Sequence, residues 1–238
     1  MRVRTRWHDC STTLVTKTTS MSLIQHLDSI RAGLLLPETE ETWDHIANAI
    51  DTLTDICRNG ACDTPQELIS TLKSLSRPLI DALSSERTRL SGPAIDLIAA
   101  VASGLGPDFD PLLSIFFPAL LLLCSRTNKV VVARARTCVL TIVQATQLPS
   151  ILPHLSQHSK DKTSSLRLIV AECALACLNC FNPPDLERES RARDIESLIR
   201  VTAKDAAADV RKVSRDIYKA YTLLLPNRVK RYVRILQT

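Results

Sequence analysis

The stretch WDHIANAIDTLTDI, residues 43–56, decides the fold class, because its apolar side chains recur every three or four residues. That spacing places one face of an α-helix against a core, and the face comprises Trp43, Ile46, Ile50, Leu53 and Ile56. The same period recurs along most of the chain, and no stretch alternates apolar and polar residues as a half-buried strand does. The sequence therefore predicts an all-α protein.

Short polar or proline-containing breaks separate the predicted helices at a steady interval. Those near Ser84, Ser125, His158 and Asp205 are about 40 residues apart, and each interval encloses two helices, which is the period of HEAT and armadillo repeats. Neighbouring pairs of this kind stack into a solenoid around one continuous core; an irregular helical bundle is the alternative. We predict a single domain at 21–238 after a basic, disordered tail at 1–20, with helix pairs at 21–58, 65–104, 109–146, 148–182 and 187–224 and a closing helix at 226–236.

Composition and motifs give no support to an enzyme. Glycine is scarce, at five of 238 residues, and no glycine-rich nucleotide-binding motif occurs. No metal-protease or serine-hydrolase motif is present either, so we expect no catalytic residues, cofactor or metal. The longest apolar run, Leu112–Cys124, is too short to span a membrane. We therefore expect a cytoplasmic protein without a membrane partner.

Cys173, Cys177 and Cys180 have the spacing of an iron–sulfur ligand motif, but they fall inside a helical pattern. Residues four and seven positions apart share one face of a helix, and in this chain that face is apolar. Free cysteine is among the most buried residue types. We therefore predict three reduced, metal-free thiols in the core.

A second local pattern concerns the turns inside the helix pairs. Asp205 lies in a turn, and Val210 and Arg211 begin the helix that follows; Leu166 and Arg167 repeat the apolar–arginine pair one unit earlier. This pattern is typical of HEAT repeats, and it predicts arginines that reach the acid or the carbonyl oxygens of a neighbouring turn.

The order of these segments resembles the TOG domains of the CLASP (cytoplasmic linker-associated protein) family over residues 21–236. The stretches that carry the resemblance are EETWDHIANAIDTL (40–53), GLGPDFDPLLSIFFPALLLL (104–123), TNKVVVARARTCVLTIVQAT (127–146), LPSILPHLSQHSKDKTSSLRLIVAECAL (148–175) and KDAAADVRKVSRDIYKAYTLLLPNRVKRYV (204–233). No single motif decides the resemblance, but the ordered set is specific.

The resemblance implies a flat, monomeric paddle that binds curved αβ-tubulin and regulates microtubule dynamics in the cytoskeleton and the mitotic spindle during cell division. The binding edge would be formed by the loops that join the two helices of each pair. Carried over to this sequence, the tubulin-binding residues are Trp43, Arg87, Arg89, Asn128, Lys129, Lys160, Lys162, Lys204, Arg211 and Arg215. An exposed aromatic and a row of bases suit an acidic partner. From the residues alone, Trp43 is better explained as a half-buried cap on the core, and Arg211 could equally be structural.

Two alternative partners remain open at this stage. The basic segment 228–234 could contact nucleic acid, although a solvated helix face explains it better. A generic HEAT adaptor that binds a peptide or another acidic protein is the other alternative. The chain also departs from the family at Gly92 and Pro93, which we expect in a helix first turn where related domains usually carry Arg-Glu, so that one basic contact is lost.

Overall fold

The computed structural model describes residues 29–229, and within that range it contains helices and no strand. The first segment, 29–34, is helical, as is the last, 226–229. Between them lie α1 (Trp43–Arg58), α2 (Pro65–Ser74), α3 (Ser76–Ser84), α4 (Thr88–Leu105), α5 (Asp110–Leu123), α6 (Lys129–Thr146), α7 (Ile151–His158), α8 (Ser164–Cys180), α9 (Pro183–Leu186), α10 (Glu189–Ala203) and α11 (Ala208–Leu224). The all-α prediction is confirmed for the described residues.

The helices form two layers, as the repeat period predicts. One layer stacks the second helix of each pair in chain order, α1, α4, α6, α8 and α11. The other stacks α3, α5, α7 and α10, with α2 also against α5. A continuous core fills the space between the layers, and Phe109, Phe116, Phe117 and Tyr221 are among its largest fully buried side chains. The solenoid prediction is confirmed, with helix pairs stacked on their neighbours.

Five loops join the first and second helices of the pairs, at 35–42, 85–87, 124–128, 159–163 and 204–207. We number them one to five in chain order. Because all five make the same connection, they lie along one edge of the solenoid. We call these loops and the first turns of the helices that follow them the loop edge.

Local chemistry explains where α6 begins and ends. At its start, the side-chain oxygen of Asn128 accepts hydrogen bonds from the N–H groups of Val130 and Val131, at 3.0 and 3.4 Å. These bonds satisfy donors that have no partner inside the helix. At its end, Gln147 adopts the left-handed conformation with φ of 51°, which stops the helical hydrogen bonding.

The structure corrects three details of the predicted helices. The first helix of the predicted pair at 65–104 is in fact two helices, α2 and α3, which are separated at Leu75. Pro93 lies inside α4, in its second turn rather than its first, since α4 begins at Thr88. The short helix α9 begins at Pro183, within a predicted break, because proline suits the first turn of a helix.

Parts of three predictions lie outside the described residues. These are the disordered tail at 1–20, residues 21–28 of the first helix pair, and most of the closing helix at 226–236, of which only 226–229 is described, as helix.

The stretch Thr88–Leu123 has the length and hydropathy of a membrane-spanning helix. In this fold it comprises α4 and α5, joined by the 3₁₀-helix Gly106–Phe109. Both helices bury apolar residues in the solenoid core, including Leu97, Ile98, Phe116 and Phe117. The apolar character of this stretch is therefore accounted for by core packing.

The cysteines of α8 lie where the helical spacing predicts. Cys173 and Cys177 are buried, Cys180 is half-buried at the helix end, and all three are free thiols. Burial raises the pKa of the Cys173 and Cys177 thiols, which disfavours the thiolate that metal binding requires. Across residues 29–229, no group of three or more His, Cys, Asp or Glu side chains is placed to hold a metal ion.

Candidate functional site

The first three loops of the loop edge are joined by hydrogen bonds and ion pairs. Arg87, in loop two, donates to Glu40 in loop one at 2.6 Å, and its Nε lies 3.3 Å from Glu38. Arg126, in loop three, donates through Nη1 to the Ser85 carbonyl at 2.9 Å and through Nη2 to the Ser84 carbonyl. Two arginines therefore fix loop two between its neighbours.

The later loops are joined in the same way. Ser165 Oγ, at the start of α8, donates to the carbonyl of Cys124 in loop three at 2.9 Å. Arg167 donates through Nε and Nη2 to the two carboxylate oxygens of Asp205 in loop five, at 2.7 and 3.0 Å. Its Nη1 donates to the carbonyls of Asp161 and Lys162 in loop four, at 2.8 and 3.1 Å. Each loop, taken with the first turn of the helix that follows it, is thus joined to the next by at least one polar contact.

The ion pair between Arg167 and Asp205 is the least exposed of the contacts along the edge. Their side chains are 14% and 4% exposed. The hydrogen bonds from Arg167 hold the pKa of the Asp205 carboxyl below its usual range, against the opposing effect of burial. The prediction that Arg167 reaches an acid and carbonyls of neighbouring turns is confirmed.

Arg211 stabilises loop five from within. Its Nη1 donates to the carbonyls of Asp205 and Ala206, at 2.6 and 2.8 Å, and the side chain is half-buried. These hydrogen bonds agree with the structural role that the HEAT pattern indicates for Arg211. Both loop carbonyls accept from Nη1, so this nitrogen of the guanidinium is occupied within loop five.

Trp43, the predicted aromatic contact, is half-buried at the start of α1 and packs against the core. The exposed Arg89 lies over it, with the guanidinium carbon 5.2 Å from the ring centroid, a cation–π arrangement. The interpretation of Trp43 as a cap on the core therefore applies in part, and its role as a contact residue stays a prediction. One portion of the ring supports the fold, and the rest forms an aromatic surface with Arg89 beside loop one.

Four predicted lysines are exposed at the loop edge, and none forms an ion pair with a described residue. They are Lys129 at the start of α6, Lys160 and Lys162 in loop four, and Lys204 in loop five. Asn128, beside Lys129, is exposed but uses its side-chain oxygen to cap α6. Exposed positive charge without an ion-pair partner among the described residues is therefore present beside loops three, four and five.

Two other predicted bases occupy different positions from the lysines. Arg87 is bound to two glutamates of loop one, as described above, so its charge is already compensated. Arg215 is exposed but is the eighth residue of α11, about 10 Å along the helix axis from loop five. Loop one, in contrast, has three exposed acids, Glu38, Glu40 and Glu41.

The structure also shows residues that the sequence did not single out. Arg126 joins loops two and three, and Val130 and Leu122 are exposed apolar residues on either side of loop three. The sequence shows that Arg126 is a basic residue in a loop. It does not show the two carbonyl groups that Arg126 bonds, which lie 41 and 42 residues away.

Gly92, which the sequence marked as a departure, and Arg228, the first residue of the basic segment 228–234, both have structural explanations. Residues 230–234 of that segment lie outside the described residues. A Cβ at Gly92 would overlap the guanidinium of Arg134, so glycine leaves room for that side chain. Arg228 lies 2.8 Å from Glu189 and 3.2 Å from Glu196, so its guanidinium is already paired with carboxylates.

Comparison with known proteins agrees with the fold and the order of the loops. A family model described as CLASP N terminal matches residues 23–238. Protein peg1 of Schizosaccharomyces pombe is 31% identical over 184 residues, which are 75% of this chain and 12% of that protein. Protein stu-1 of Neurospora crassa is 26% identical over 195 residues, 80% of this chain and 17% of that protein. The chain thus spans less than a fifth of the length of these relatives.

A solved structure, described as the TOG domain of Zyg9 from C. elegans, has the same fold. It superimposes with a TM-score of 0.56 and 14% sequence identity, over 85% of this chain and 73% of that one. The match to the family model extends over almost the whole chain, and the resemblance inferred from the ordered segments is confirmed. The chain belongs to the CLASP N-terminal family.

Proposed function

We propose that the chain is a tubulin-binding module whose loop edge binds the curved αβ-tubulin dimer and thereby regulates microtubule dynamics. The observation that carries this proposal is the set of exposed lysines at loops three to five, Lys129, Lys160, Lys162 and Lys204, on loops that are held to one another. A fixed row of cations suits an acidic protein surface, because it speeds encounter and sets the register of docking. Membership of the CLASP N-terminal family supports tubulin as that partner.

The preorganised loops support binding in a second way. Loops that are already fixed lose little conformational freedom when a partner docks, so more of the contact energy contributes to affinity. In this chain the loops are held by the hydrogen bonds of three arginines, Arg87, Arg126 and Arg167. The proposed contacts are therefore the free lysines, with Trp43 and Arg89 at the other end of the edge. A tubulin-binding module of this kind would act in the cytoplasm, on the cytoskeleton and the spindle.

The first test is gel filtration and affinity measurement with purified αβ-tubulin, comparing Lys129→Glu with Lys73→Glu. Both lysines are exposed, but Lys73 lies in the last turn of α2, outside the loop edge. We expect Lys129→Glu to weaken binding about tenfold, mostly through a slower association rate, and Lys73→Glu to have little effect. Equal effects of the two changes, or no binding by the unmodified chain, would contradict the proposal.

A further inference from the structure

Exposed apolar side chains are concentrated on the loop edge as well as charged ones. Among the described residues, three of the six exposed large hydrophobics lie on the loop edge, Leu35, Leu36 and Val130, and Leu122 is in the last turn of α5, just before loop three. The others, Tyr218 and Leu223, are on α11. Single exposed hydrophobics are common on any protein, but their grouping on one edge is not expected of a purely electrostatic surface.

Val130 is the most exposed of the four, at 67%, and its position is fixed. It is the second residue of α6, and its N–H donates to the Asn128 side chain at 3.0 Å. The next residue, Val131, is buried, so the first turn of α6 cannot rotate without moving the core. A β-branched side chain has few rotamers, and its burial by a partner costs little conformational entropy.

Loop three is held from both sides and is the middle loop of the five. Arg126 bonds it to loop two, and Ser165 bonds it to the first turn of α8, the helix that follows loop four. Residues that dominate binding energy tend to lie near the centre of an interface, where surrounding polar contacts exclude water. Lys129 is adjacent to Val130 in the first turn of α6, and the lysines of loop four lie on the next loop along the edge.

We propose that Val130, with Leu122 on the other side of loop three, is the apolar centre of the tubulin interface. It would contact a small apolar area within the acidic surface of the αβ-tubulin dimer. This inference rests on the proposed function and adds a division of roles. The lysines govern the association rate, and Val130 governs the dissociation rate and the part of the affinity that salt does not weaken.

The test measures association and dissociation of αβ-tubulin on the immobilised chain for Val130→Ser and Leu223→Ser at two salt concentrations. Leu223 lies on α11, away from the loop edge, and is 84% exposed. Leu223→Ser is therefore the matched control, because it also removes an exposed apolar side chain. We expect Val130→Ser to dissociate about tenfold faster, with an unchanged association rate, at both salt concentrations. Leu223→Ser should match the unmodified chain, and Leu122→Ser should show a smaller effect than Val130→Ser.

A second substitution, Val130→Thr, keeps the branched shape and separates lost contact from a disturbed helix start. If Val130→Ser lowers the melting temperature, Val130→Thr should still speed dissociation while melting normally. Dissociation rates of both Val130 variants equal to that of Leu223→Ser would overturn the inference. The proposed function would then still stand if Lys129→Glu weakens binding. Absence of tubulin binding by the unmodified chain would overturn the two together.

Discussion

At the scale of the residue, the ion pair between Arg167 and Asp205 holds part of the loop edge in place. Their two hydrogen bonds, at 2.7 and 3.0 Å, join loops four and five across 38 positions of sequence. Both side chains are mostly removed from solvent, so loss of one partner would leave the other charged and without compensation. This differs from the exposed pairs on the helix surfaces, which contribute little to stability.

Asp205→Asn should therefore destabilise the protein by about 3 kcal/mol near pH 7. The pKa of Asp205 is lowered in the folded state, so its contribution is fully present above the unfolded-state pKa of about 3.9. That contribution is lost as the pH falls through the lower folded-state pKa. Urea unfolding across this pH range should show the difference from the unmodified chain shrinking with acidity. Asp209→Asn, at an exposed acid in the first turn of α11, is the control and should cost less than about 1 kcal/mol. A difference that does not change with pH would contradict the assignment.

At the scale of the element, the two ends of α6 affect the stability of the folded state in opposite directions: its start is stabilising and its end is destabilising. Asn128 satisfies two N–H groups at its start. Gln147 occupies, at its end, a left-handed conformation that costs a residue with a Cβ about 1 kcal/mol. The helix between them places Val130 and Lys129 on the edge and Val131, Ala135 and Cys138 in the core. Its position decides the geometry of loop three.

Asn128→Ala should lower the free energy of unfolding by about 1 kcal/mol, and Asn128→Ser, which retains a capping oxygen, by much less.

Gln147→Gly should raise the free energy of unfolding by about 0.5 kcal/mol, because glycine adopts positive φ without strain but is more flexible when unfolded. Chemical denaturation of the three variants tests both ends. A stabilising Asn128→Ala or a destabilising Gln147→Gly would show that these end geometries are not those of the folded chain.

At the scale of the whole molecule, a solenoid is held together by contacts between neighbouring pairs, and its ends are its weakest parts. The described C-terminal end is closed by a polar network. Arg228 bonds Glu189 and Glu196, and the Tyr221 hydroxyl donates to Glu196 at 2.6 Å. Arg228 holds the pKa of Glu189 at about 2, and burial raises that of Tyr221. The network fixes 226–229 against α10 and α11.

Arg228→Ala should weaken the last helix pair by about 2 kcal/mol and leave the first pairs unaffected. Amide hydrogen exchange should therefore quicken in α10 and α11 while α1 and α4 keep their protection. Arg193→Ala, which removes an exposed pair with Glu189, is the control and should change exchange little. A uniform increase along the chain would mean that the array unfolds as one unit.

The sequence by itself determined the class of fold, the repeat and the order of the segments. The spacing of apolar residues is a local property of the sequence. The stretch Trp43–Ile56 therefore indicates a helix with one buried face, whatever the tertiary structure around it. The same reasoning correctly gave the burial of Cys173 and Cys177 and the reach of Arg167 toward a neighbouring turn. Which residues lie in the loops could also be read, because the breaks between helices are polar.

The tertiary structure alone decided which charges on the loop edge are free. Lys129 and Arg87 look alike in sequence, but only Arg87 has glutamates within reach, and those lie 47 and 49 positions away in loop one. Trp43 is similar, since its burial depends on Arg89 and the core of the next pair. Pairing of distant charges depends on how helix pairs stack, and periodicity contains no information about it. For that reason the sequence gives the position of the edge, while the stacking of the repeats decides which of its side chains remain available to a partner.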